Sequence, residues 1–84
     1  MKHAGPEALD LLEPVLVKLR KLDGLRERKR GAFYRGSSAF LHFHEDPAGF
    51  FADLKLADDF VRFPVNSGAE VKKLLARAAR ALKG

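Results

Sequence analysis

Two groups of residues in this 84-residue chain are of types and spacings that can do chemistry. The first is His42-x-His44-Glu45-Asp46. Alternate residues of a strand project from the same face, so two imidazoles at this spacing can approach one ion, with a neighbouring carboxylate completing the set. His3 is the only other histidine and lies far away in the chain. The reading adopted from sequence is therefore surface or packed histidine, with no metal and no cofactor, and a metal-assisted site at His42 and His44 is the weakest of the alternatives. The second group is the basic run Arg26-Glu27-Arg28-Lys29-Arg30, which leads through Gly31 into Phe33, Tyr34 and Arg35. Guanidinium and ammonium groups contact phosphates, and neighbouring aromatic rings stack on bases.

Other chemistries are poorly represented. Cysteine is absent, which excludes disulfides, thiolate zinc sites and cysteine nucleophiles. Ser37 and Ser38 lie in a turn with no nucleophile-elbow pattern around them, and the seven glycines are scattered rather than gathered into a phosphate loop. Asp58-Asp59 is explained by turn formation. The expectation is a non-enzymatic binding domain with no small-molecule substrate.

Charge strengthens the second group. The chain carries 16 Lys+Arg against 11 Asp+Glu, a formal net charge of +5. The positive charge is clustered. Residues 20–35 hold Arg20, Lys21, Arg26, Arg28, Lys29, Arg30 and Arg35 against Asp23 and Glu27. The stretch 40–60 is acidic, and basic character returns near the C-terminus with Lys72, Lys73, Arg77, Arg80 and Lys83. Clustered cations are the electrostatic footprint of a polyanion binder, and they equally serve to solvate a small domain.

The elements that must position these groups follow from periodicity. A hydrophobic content of 46% is that of a folded domain, and the chain length suits a single one, residues 1–84. Residues 1–5 read as a loose start. Pro6 fits the first turn of a helix, and Leu9, Leu12, Leu16 and Leu19 recur at helical spacing, giving an expected helix over 6–22. Pro14 lies inside it, so the helix either kinks there or begins near Asp10, whose spacing to Glu13 is that of a capping box. Gly24 is the expected stop and residues 25–30 a connector. The period then changes from 3.6 to 2. Strands are expected at 32–35, 39–44 and 50–56, with 60–65 as an edge strand because Pro64 cannot serve a central one. Phe40, His42 and His44 should share one face. Ser67 and Glu70 have capping-box spacing ahead of a helix over 68–83. Val71, Leu74, Leu75, Ala78 and Leu82 form its apolar stripe, with Lys73, Arg77 and Arg80 opposite.

The expected fold is thus α+β in two layers: an N-terminal helix, an antiparallel meander of three or four short strands within 32–65, and a C-terminal helix packed on the sheet. An uncovered sheet face bearing Tyr34, Phe40 and Phe51 would offer an apolar interface for a homodimer. No apolar run is long enough for a membrane span and no signal-type stretch opens the chain, so a cytoplasmic protein is expected.

The runs Leu22-Asp23-Gly24-Leu25-Arg26-Glu27-Arg28, Gly31-Ala32-Phe33-Tyr34-Arg35 and Phe40-Leu41-His42-Phe43 resemble, over roughly residues 18–56, the YjbR-like (MmcQ-type) family of small bacterial proteins. Asp23 stands where that family often has proline, and the segment between Leu56 and the last helix is shorter here. The resemblance implies a double-wing α+β fold and a DNA-binding role, with no catalytic residues. The nucleic-acid site expected from sequence is Arg26, Arg28, Lys29, Arg30 and Arg35, with Lys73, Arg77 and Arg80 as a second basic surface.

Overall fold

The computed structural model describes residues 1–83. In chain order they form β1 (Lys2–His3), α1 (Pro6–Leu19), β2 (Arg26–Lys29), β3 (Ala32–Arg35), β4 (Ser38–Asp46), β5 (Gly49–Leu56), β6 (Asp59–Pro64) and α2 (Gly68–Lys83). Strands β2 to β6 make an antiparallel meander in sequence order. β1 lies beside β4 on the β3 side, pairing His3 with His44 and Lys2 with Glu45 just beyond the reach of β3. Both helices pack on one face of this sheet around a single core. The α+β architecture expected from sequence is therefore observed, with more strands than expected.

Several boundaries differ, each for a physical reason. Residues 1–5 are not loose. The Ala4 amide donates to the Phe43 carbonyl and the Gly5 amide to the Glu45 carboxylate, 2.6 Å away, so the start of the chain is stitched to β4. Residues 26–29 are a strand rather than a connector, because they hairpin onto β3 through Gly31. The first helix starts at Pro6 and continues through Pro14, whose exposed position leaves the Asp10 carbonyl it cannot serve open to water. It ends at Leu19, earlier than expected. Asp10 and Glu13 do not cap it, because the helix already begins at Pro6 and both lie inside it, their carboxylates paired with Arg30 of the turn after β2 and Arg20 at the helix end.

α2 begins as its sequence demands. The Glu70 amide donates to Ser67 Oγ, while the Glu70 carboxylate accepts from the Asn66 amide, 2.8 Å away. Asn66 also prolongs the pairing of β5 with β6: its side-chain amide accepts from Phe50 N–H and donates to the Phe50 carbonyl. Gly49, at φ 135°, permits this approach, because a Cβ there would come within 2.7 Å of Asn66 Oδ1.

The core face consists of Phe33, Leu41, Phe43, Ala52, Leu54 and Phe63 from the sheet, met by Leu12, Leu16 and Leu19 of α1 and Leu74 and Ala78 of α2. Phe40 departs from expectation. Phe33 pairs with Leu41 but Tyr34 pairs with Ala39, so Phe40 is the extra residue of a bulge. The bulge turns Phe40 into the core beside Leu41 instead of leaving it on the face of His42 and His44, and it is no part of an exposed interface. No helix among the described residues is long and apolar enough to cross a membrane.

Candidate functional site

The opposite face of the sheet has no helix over it. Register assigns its members. Ala32, His42, Asp53 and Arg62 lie in one row across β3 to β6, and His3, His44, Phe51 and Pro64 in the next, across β1, β4, β5 and β6. Lys55 and Phe60 form a third pair. Towards the β2 edge, Arg26 pairs with Tyr34, and the Arg28 guanidinium lies over the Tyr34 ring, 5.0 Å from its centroid. The face is therefore aromatic and cationic.

Asp53 is the anionic centre of this face and is 8% exposed. Arg62 holds it with two hydrogen bonds, from Nε to Oδ1 at 2.8 Å and from a terminal nitrogen to Oδ2 at 3.0 Å. These bonds keep the Asp53 carboxyl below the usual aspartate range and raise the Arg62 guanidinium above its ordinary value. Such a fork-to-fork pair consumes both carboxylate oxygens and leaves the rest of the face net positive.

Beside Asp53 three imidazoles converge. His3 and His44 stack with centroids 4.7 Å apart, His42 meets His44 edge-on at 4.9 Å, and His3 and His42 are 5.5 Å apart. Phe60 packs edge-on against His42 at 5.0 Å. Burial, followed by the proximity of His44, lowers the pKa of His42, so its ring is neutral around neutral pH. His44 is buried, and among the described residues neither of its ring nitrogens has a hydrogen-bond partner. Its Nε2 is 3.1 Å from Asp53 Oδ2, yet the ring's N–H axis misses that oxygen, so the contact is electrostatic rather than a hydrogen bond. A cavity of about 310 Å³ opens beside His3 and His42, lined also by Lys29, Ala32 and Tyr34.

The basic residues separate into four groups. Arg30 pairs with Asp10 and Glu13 of α1, and Arg20 pairs with Glu13 and Glu27, so the charge of Arg30 is spent on fastening β2 to the helix. Arg35 donates to the carbonyls of Ala81 and Leu82 and closes the last turn of α2. Arg26, Arg28 and Lys29 form no ion pair among the described residues and are exposed on the β2 edge. On α2, Lys73 and Arg80 are exposed, on the helical layer, whereas Arg77 is half-buried with its guanidinium over the Phe63 ring. The two basic surfaces thus belong to opposite layers of the fold, and Arg77 does not share the free position of Lys73 and Arg80.

His3, Asp53, Arg62 and Phe60 were not among the site residues expected from sequence. Asp53 and Arg62 were within reach, because the tight turn between β5 and β6 fixes their pairing. His3 carries no local signal, since only the tertiary pairing of β1 brings it to His44. The chain matches no family model, no curated protein and no solved structure.

Proposed function

We propose that the uncovered sheet face binds single-stranded nucleic acid. The observation that carries this reading is the make-up of that face. Arg26, Arg28 and Lys29, in no ion pair among the described residues, border the β3 side of a face that carries Tyr34 next to them and Phe51 and Phe60 further across the sheet, while the buried carboxylate of Asp53 is neutralised by Arg62. Unpaired bases stack on aromatic side chains of an open sheet, and flanking cations follow the phosphates. Charge complementarity favours a polyanion over a second copy of this chain, which would set like charges against one another. The outer strands are guarded as well, β2 by its cations and β6 by Pro64, so edge-to-edge pairing of copies is disfavoured. The DNA-binding role implied by the YjbR-like resemblance points the same way.

The test is fluorescence-polarisation binding to a labelled single-stranded oligonucleotide at two salt concentrations, with heparin as a competitor. Arg26→Glu with Arg28→Glu is expected to weaken binding by about tenfold or more and to flatten the salt dependence, as the loss of two phosphate contacts requires. Lys73→Glu with Arg80→Glu, on the other layer, should leave the affinity near that of the native chain. Equal loss from both pairs, or a native preference for heparin, would reduce the face to a generic cationic surface. A dimer seen by sedimentation and dissociated by Phe51→Glu would favour self-association instead.

A further inference from the structure

We propose that His3, His42 and His44 form a binding site for one divalent transition-metal ion of the zinc class. The proposal is independent of the nucleic-acid reading. One ring nitrogen from each histidine lies within 4.8 Å of the other two. Three nitrogens bound to zinc at about 2.0–2.1 Å stand roughly 3.4 Å apart in a tetrahedral arrangement, so the cluster needs only a modest closure. The His3 side chain is exposed, so a change of rotamer can supply it.

His44 is the second, separate observation. Its ring is buried against the cluster with both nitrogens unpartnered among the described residues, a costly arrangement for a buried polar group unless something else occupies a lone pair. A coordinated cation does so. The surroundings suit that role. Asp53 Oδ2 stands 3.1 Å from His44 Nε2 and 3.6 Å from His42 Nε2, close enough to offset the charge of a bound cation although it accepts no hydrogen bond from His44. Asp53 is not counted among the ligands: the converging set is the three imidazoles, and Arg62 hydrogen-bonds to each of its oxygens. An all-imidazole set selects zinc, cobalt, nickel or copper over magnesium and calcium. Three protein ligands leave a coordination position for water or an anionic group, and the cavity beside His3 and His42 gives such a group access.

The experiment uses the untagged chain, freed of metal by chelation and with no nucleic acid present. Zinc is titrated against a chromophoric chelator, and cobalt is followed by its visible absorption. One zinc per chain is expected, together with the intense visible bands of a low-coordinate cobalt site. His3→Ala and His42→Ala, at positions that are not fully buried, should each weaken zinc by about 100-fold or more. Asp53→Asn should weaken it by about tenfold, at the lower end of what loss of a carboxylate beside the ligands costs. His3→Ala guards against misfolding as an explanation, because its side chain contributes nothing to the core. Absence of saturable zinc uptake, or uptake unchanged in both histidine variants, overturns the proposal.

Discussion

The two faces of the sheet are built from the same strands, and alternate residues of β4 and β5 serve each. On the covered face Leu41, Phe43, Ala52 and Leu54 are sealed beneath two helices. On the open face their neighbours His42, His44 and Asp53 make contacts that are polar, aromatic and incompletely satisfied. The covered face supplies the free energy that the open face does not. Burying a Leu-sized side chain contributes about 1.5–3 kcal/mol. A buried imidazole without partners works against folding. The strands hold the open face in position only because their other side is packed, and that division leaves the open face available for binding.

Substitutions in matching positions test this division. Leu54→Ala on the covered face should cost about 2–5 kcal/mol in chemical denaturation, since the residue is fully enclosed and the cavity cannot collapse. Asp53→Ala, its neighbour on the open face, should cost less, about 1–3 kcal/mol, from the loss of the paired carboxylate to Arg62. Phe60→Ala, on the exposed rim, should stay within about 0.5 kcal/mol of the native chain. An equal penalty at Phe60 and Leu54 would mean that the open face is covered in solution, for instance by a second copy.

The smallest effect is one of pH. The hydrogen bonds from Arg20, joined at Glu13 by those from Arg30, hold the carboxyls of Glu13 and Glu27 below the ordinary glutamate value of 4.5. A depressed folded pKa stabilises the protein above the unfolded value, and that contribution disappears as pH falls through the folded one. Acid titration of Arg20→Met should therefore differ from the native chain above about pH 4.5 and converge with it in stronger acid.

The covered face was largely legible from sequence, because its signal is repetition. Leucines at helical spacing, alternation in 50–56 and the Ser67–Glu70 cap each report on their own neighbourhood. The open face was legible only in fragments. The pairing of His42 with His44 follows from strand alternation, but the arrival of His3 depends on hydrogen bonds to residues 43–45 that no local pattern encodes. Phe40 was misplaced because a single bulge reverses the parity of everything before it in the strand. The basic run 26–30 read as one cluster, yet tertiary partners divide it, Arg30 being neutralised by α1 while Arg28 stays free over Tyr34.

The stitching of residues 1–5 to β4 also bears on the order in which the molecule assembles. Each contact of this short segment spans about forty positions of chain, as between Gly5 and Glu45, whereas the hairpins of the meander close locally. Loop-closure entropy therefore makes β1 a late arrival on the folding route, and its few bonds make it the first part to leave. His3 joins the other two histidines only once everything else is in place, so the complete triad exists in the finished molecule and not in its precursors. An ion bound by all three would act as a clasp on β1.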